Sequence, residues 1–496
     1  MASRDLLAHP LYRPIDLGAA VPDSAHAVSV ALPTWAACIG YEEKQPWVMN
    51  ALKAGYPRFV THPLLAALIA WVSDSHGLPQ ERLALAPSRR SAKRLLAVAD
   101  SRGLTGLHME PLGRANIFLV SANQDLGTVW AACRQHAGMI PSSRQCAAAL
   151  AGHGDADSGD ADAAALRQLL ATWYGVDEQL VHLAANGMAS IAGVHRALLQ
   201  LRPGQATLQL GFPYVDLLKL QQVFSPQLHF IPGHDGVAVA KAESLIRGGG
   251  LAGVFLEVPG NPLLQTPDVP RLSAACREAG VPLVIDDTVA SPLNVDLRPY
   301  ADVVVDSLTK YVAGCGTVMG GAAVVCPAGP QAAALQRAIS ETSDADCWHE
   351  DLSTLLAGAQ DYPQRLALMN NHAQLLVQRL RTQSGVAAVR YPDQCPHYRA
   401  LMRDQGGFGS LCSVLLSDGP AHAAAVYDAL QVTKGPSFGT RFTLCCPFTL
   451  LAHYGELDWA ESLDVSRWLL RFSFGTEDPE LTWSRLAPAL ERTQTA

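Results

Sequence analysis

Between residues 254 and 325 the chain alternates short, nearly all-apolar runs with turns and one amphipathic stretch, and no other feature constrains its fold as much. Short apolar runs bounded by glycine and proline read as strands buried on both faces, as happens where helices cover a parallel sheet. Residues 254–257 form the first such strand. After the turn Pro259-Gly260-Asn261-Pro262 a helix is expected to start near Asp268, take Pro270 in its first turn and stop at Gly280. Further strands are expected at 281–285, 301–305 and 320–325. This succession is the pattern of a doubly wound α/β domain with a mainly parallel sheet. Such sheets place ligands at the carboxyl ends of their strands, where Asp286 and Asp287 stand.

With 496 residues, 49% hydrophobic content and a formal charge of −8, the chain can bury two or more cores, so several domains are expected. No run approaches the ~18 apolar residues of a membrane span, and MASRDLLAHPLYRPIDL lacks the apolar core of a secretory signal. A cytoplasmic protein with no membrane partner is the expectation. Eleven cysteines, irregularly spaced and without a CxxC pair, read as reduced thiols, with neither disulfides nor a metal site indicated. The mildly acidic balance argues against nucleic acid as a partner. The short basic cluster Arg89, Arg90, Lys93 and Arg94 reads as a solvated helix face.

The chain divides into residues 1–65, 66–160, 161–345 and 346–496. The second segment has an apolar strand at 117–120 and helical patterns near 80–102 and 127–137, enough for a small α/β unit. Residues 152–165, GHGDADSGDADAAA, read as a linker. The last segment shows a long amphipathic helix near 363–383, a strand at 410–416 and a helix at 419–430, an α+β pattern. No internal repeat stands out.

Three features converge on one chemistry. Lys310 lies in Ser307-Leu308-Thr309-Lys310-Tyr311, about 24 residues after Asp286, and Asn186-Gly187-Met188 opens a helix that runs to about Leu201. Helix starts bind anions. An amine, a carboxylate at a strand end and an anion cradle suit pyridoxal 5'-phosphate, whose aldehyde takes an amine and whose ring nitrogen takes a carboxylate.

The phrases SVALPTWAACIGYEE, GYPRFVTHP, GFPYVDLLK, EVPGNPLLQTPDVPRL, DSLTKYVAGCGTVMGG, KGPSFGTRFTL and LLAHYGELDWA follow one another along the chain. Over about 26–65 and 165–485 they resemble the Cys/Met-metabolism family of pyridoxal-phosphate enzymes, the relatives of cystathionine γ-synthase, and most closely its fungal-type branch. The resemblance implies the type I, aspartate aminotransferase-like fold: a large coenzyme domain at 161–345, a smaller α+β C-terminal domain at 346–496 and an N-terminal arm at 1–65. It leaves 66–160 as an insertion of unread role.

It also implies residue roles. Lys310 would bind the coenzyme and move protons, and Asp286 would pair with the ring nitrogen. Ser307, Thr309, Gly187 and Met188 would hold the phosphate, Asn261 the phenolic oxygen, and Tyr214 would stack on the ring. Tyr56 and Arg58 would come from a neighbouring subunit, implying a homodimer or homotetramer with shared sites. Arg471 would grip the substrate α-carboxylate beside Ser437. Asp287, where the family commonly has Asn, is expected to face structure or solvent, and Cys315 to be inert. The implied activity is γ-replacement on an O-acyl-L-homoserine by a thiol, a trans-sulfuration step. An O-acylhomoserine sulfhydrylase, a C–S lyase and a biosynthetic γ-substitution with another nucleophile remain open.

Overall fold

The computed structural model describes residues 4–155, 159–343 and 347–494. The apolar runs assemble into a seven-stranded sheet that crosses from Val181–Ala184 through Gly321–Val325, Val303–Asp306, Leu283–Asp286, Leu251–Glu257 and Ala206–Leu210 to Leu228–Ile231. The last five in that order pair in parallel, and Gly321–Val325 runs antiparallel to both neighbours. All seven residues of Leu251–Glu257 are buried, as a strand covered on both faces requires. Helix Val269–Ala279 is built as its sequence dictates. The Asp268 side chain accepts from the Arg271 N–H, Pro270 sits in the first turn, and Gly280 ends the helix in the left-handed conformation. Strand register sets Glu257 beside Asp286, both at carboxyl ends.

The C-terminal domain carries the long helix Tyr362–Thr382 and a five-stranded sheet. Its strand Leu470–Ser473 lies between Leu411–Leu416 and Leu444–Pro447, which fixes the position of Arg471.

The inserted segment has helices Pro63–His76, Arg89–Ser101, Gly127–Ala137 and Ser143–Leu150 around three antiparallel strands, with Phe118–Ser121 between Leu83–Ala86 and His108–Pro111. It does not close a core of its own. Leu85, Ile117 and Trp130 pack in one cluster with Ile191, Val194 and Leu198 of helix Gly187–Leu201 and with Val284 and Val305 of the large sheet.

Four sequence expectations change. The pattern near 80–102 is a 3₁₀ turn, the strand Leu83–Ala86 and a shorter helix, because the Ser88 side chain caps the Ser91 N–H and starts the helix there. The basic cluster is not a purely solvated face. Arg90 donates to the Ser340 and Ser343 carbonyls (3.4 and 3.3 Å) and Arg94 to that of Thr342 (3.3 Å), which Arg196 also reaches at 3.0 Å. The carbonyls closing helix Ala332–Thr342 carry partial negative charge and need donors. The expected linker at 152–165 becomes helix from Asp160 onward, where Asp160 and Asp162 complement the positive helix start; its residues 156–158 lie outside the described residues.

The fourth change is a repeat. Helix Pro63–His76 ends on left-handed Gly77 and leads through Gln80–Arg82 and Leu83–Ala86 to a helix capped by Ser88. Helix Asp160–Tyr174 ends on left-handed Gly175 and leads through Glu178–Leu180 and Val181–Ala184 to a helix capped by Asn186. From glycine cap to N-cap the two stretches align without a gap. Few side chains are shared, so the sequence conceals what the backbone repeats.

No helix among the described residues is long and apolar enough to cross a membrane. None of the eleven cysteines is in a disulfide.

Candidate active site

Lys310 follows strand Val303–Asp306 into a cavity and is buried there. Its Nζ donates to the Tyr56 hydroxyl (3.0 Å) and to Ser437 Oγ (3.2 Å). Burial lowers the lysine pKa, and the Tyr56 oxygen partly opposes this. Burial pushes the Tyr56 phenol up, but the charges of Lys310 and Arg58 outweigh it and bring the phenol down to about 8. The pair is poised to exchange a proton.

Asp286 lines the same cavity, and its carboxylate accepts from the Thr288 N–H at 2.9 Å. Burial raises its pKa. Beside it Glu257 accepts from the N–H groups of Tyr214 (2.6 Å) and Asn261 (3.0 Å), and burial with the nearby Asp286 lifts it to about 8. Sequence reasoning missed Glu257, although it ends an apolar strand as Asp286 does. Asp287 faces structure: it accepts from the Tyr174 hydroxyl at 2.9 Å.

The start of helix Gly187–Leu201 forms the expected cradle. A Cβ on Gly187 would stand 2.8 Å from Ser307 Cβ and Oγ, so only glycine fits. Met188, Ser307 and Thr309 line the cavity with it, and Thr309 Oγ1 accepts from the Gly320 N–H at 3.0 Å. Arg58 is also buried. Its Nη1 donates to Asp216 Oδ2 (2.6 Å) and the Gln135 carbonyl, and its Nη2 to the Tyr214 hydroxyl (2.6 Å). His136 Nδ1 lies 3.0 Å from Asp216 Oδ1. Burial alone would raise the Asp216 pKa, but Arg58 and His136 hold it below the usual range. Sequence reasoning assigned no role to Asp216, Gln135 or His136, although Asp216 stands in the phrase GFPYVDLLK.

Tyr56 and Arg58 reach the site of their own chain. The reason lies next to them in sequence, since the arm runs directly into helix Pro63–His76, which packs into the shared core.

Arg471 donates through Nη1 to Asn261 Oδ1 (3.2 Å) and through Nη2 to the Ser437 carbonyl (2.9 Å). Its guanidinium lies over the rings of Phe448 (4.8 Å) and Phe438 (5.3 Å). The structure thus brings every expected site residue to one cavity, whose remaining wall includes Val28, Met319, Phe438, Phe448 and Leu451. Cys446, and not Cys315, is among the lining residues. So is Glu42, which burial lifts to about 7.

These groups fit pyridoxal phosphate: a buried amine, a cavity-facing carboxylate with no ion pair among the described residues, and a helix start with no room for a Cβ. Comparison with known proteins agrees. The chain is 36% identical to L-2-amino-4-chloropent-4-enoate dechlorinase/desaturase of Streptantibioticus cattleyicolor, over 93% of this chain and 95% of that one. It is 30% identical to cystathionine gamma-synthase of Neurospora crassa, over 94% and 96% of the two chains. Its fold matches cystathionine gamma synthase of Xanthomonas oryzae pv. oryzae with a TM-score of 0.60 at 23% identity, covering 67% of this chain and 86% of that one. A family model for the Cys/Met metabolism PLP-dependent enzymes matches residues 159–491. The coenzyme is pyridoxal phosphate, and the chain belongs to the Cys/Met metabolism PLP-dependent enzyme family.

Proposed function

We propose that the chain expels a small leaving group from the γ-carbon of an L-α-amino acid and that a thiol then adds there, completing a γ-replacement. The observation that carries this reading is the distribution of charge in the cavity. Its cations among the described residues are Lys310, Arg58 and Arg471. Lys310 is committed to the coenzyme and Arg58 to Asp216 and Tyr214, leaving Arg471 for a carboxylate. Asn261 and Ser437 orient that guanidinium, which grips a planar carboxylate through two parallel bonds. Among the described residues no cation is then left for a second carboxylate, and the apolar wall favours an uncharged side chain. The donor that fits is an O-acyl-L-homoserine with a neutral acyl group, acetyl in preference to succinyl.

Bound pyridoxal phosphate supplies an electron sink that eases proton loss at Cα. Lys310 removes that proton and one from Cβ, since its lowered pKa makes it a competent base. Tyr56, at hydrogen-bond distance, holds a proton for the lysine or takes one from it. Asp286 keeps the ring nitrogen protonated.

A second reading has its own support in the 36% identity to the dechlorinase/desaturase. In it the substrate carries a γ-halide on an unsaturated carbon and no thiol is needed. The same apolar wall suits that side chain.

The test is mass-spectrometric product analysis with O-acetyl-homoserine, O-succinyl-homoserine and 2-amino-4-chloropent-4-enoate, each with and without cysteine. Cystathionine from the acetyl donor and cysteine is the expected product. Chloride release from the chloro substrate with inert acyl donors would replace the first reading with the second. If no substrate lost its γ-group, both readings would be wrong.

A further inference from the structure

We propose that the inserted unit is an in-chain stand-in for a neighbouring subunit: a degenerate copy of the coenzyme domain's opening that fastens the arm into the chain's own site. Four observations lead there. The first is the repeat itself, helix to glycine cap to strand to capped helix, present once before and once within the coenzyme domain. The arm with Tyr56 and Arg58 is joined to the first copy yet serves the site of the second.

Second, the first copy cannot hold a coenzyme. Where the second has Gly187, which has no space for a Cβ, the first has Arg89. Its three short antiparallel strands include no counterpart of the parallel strands that lead to Asp286 and Lys310.

Third, the unit touches the site at one turn. At the end of helix Gly127–Ala137 the Gln135 carbonyl accepts from Arg58, His136 bonds Asp216, and Arg134 donates to Thr61 of the arm at 2.8 Å. The Gly138 carbonyl accepts from Asn186 Nδ2 at 2.9 Å, so the same turn also steadies the cap of the cradle helix. A helix carboxyl end is a natural seat for a guanidinium.

Fourth, the arm is short. The chain from Arg58 to Pro63 spans at most about 18 Å when extended. Helix Pro63–His76 is itself held by Leu65, Leu68 and Val72 in the core shared with the coenzyme domain. Arg58 therefore cannot serve a distant site unless the whole unit undocks. His136 and Gln135 are positioning residues, acting on the coenzyme through Arg58 and Asp216.

The test is a hybrid of two chains, one Arg58→Ala and one Lys310→Ala, co-expressed with different tags and purified through both. Coenzyme absorbance, coenzyme release rate and turnover are then read. The intact Lys310 sites are expected to release coenzyme as fast as the Arg58→Ala protein alone, with no gain in turnover. Recovery of wild-type behaviour at half the sites would overturn the proposal, because it requires an arm supplied across chains. If the chains do not associate, wild-type protein retaining its coenzyme as a monomer supports the same conclusion. In parallel, His136→Ala is expected to speed coenzyme release about tenfold, the loss of one charged hydrogen bond, with the melting temperature of the coenzyme-free protein unchanged. His136→Asn, which keeps a donor, should restore it. An unchanged release rate in His136→Ala would remove the positioning role.

Discussion

Tyr56 shows how closely individual residues tune one another. Its phenolate is favoured by Lys310 and Arg58, so in the coenzyme-free protein tyrosinate absorbance should titrate near pH 8. An unfolded tyrosine titrates near about 10. Because the folded value is the lower one, this group adds stability that is fully present above the unfolded value and is lost as pH falls through about 8. Lys310→Ala removes a major cation and should move the midpoint up; if the wild-type midpoint already lay near that of a free tyrosine, the described contact would be wrong. Arg471→Lys tests the other end of the cavity. A lysine offers one point charge where a planar fork is required, so KM for the amino acid should rise by about tenfold or more while coenzyme absorbance stays as it is. At this scale the sequence was informative where a phrase, a spacing or the family pattern assigns a role, as they do for Lys310, Asp286 and Arg471. Glu257 and Asp216 stand inside matching phrases and His136 outside them, yet none showed its role, since the partners that give it come from distant parts of the chain.

Elements were legible when their signals were local. Helix Val269–Ala279 has its capping aspartate, early proline and terminal glycine within its own stretch. Leu83–Ala86 was hidden in a helical pattern because a short apolar run looks the same in either structure. The basic face of Arg89–Ser101 appeared solvated because the carbonyls it meets belong to a helix about 250 residues later. Replacing Arg90 and Arg94 together by Ala should lower stability by about 1–2 kcal/mol in chemical denaturation, the usual worth of two cations at a helix carboxyl end. A loss of zero would mean that the contacts are idle. Gly187→Ala acts on another helix end. Its new Cβ must displace Ser307 or the helix start, so coenzyme affinity should fall sharply in a titration followed by absorbance while far-UV circular dichroism is unaltered.

Across the whole molecule the sequence conveyed the class of fold and the existence of an extra unit, but not where that unit belongs. Tyr56-Pro57-Arg58 reads the same whether it serves its own chain or another, and the repeat survives in backbone and caps more than in side chains. The shared core also predicts that the unit cannot be excised. Deleting residues 66–150 would expose Ile191, Val194 and Leu198 to water, and the product is expected in the insoluble fraction; a soluble, coenzyme-loaded deletion would show the core to be dispensable. The short tether between Arg58 and its anchoring helix carries one more consequence. A group held in place by its own polypeptide sees a fixed effective concentration, of the millimolar order typical of short linkers, however few copies of the protein exist. Turnover per chain should then be the same at scarce and abundant expression, so a cell could keep this enzyme at trace levels without losing activity to dissociation.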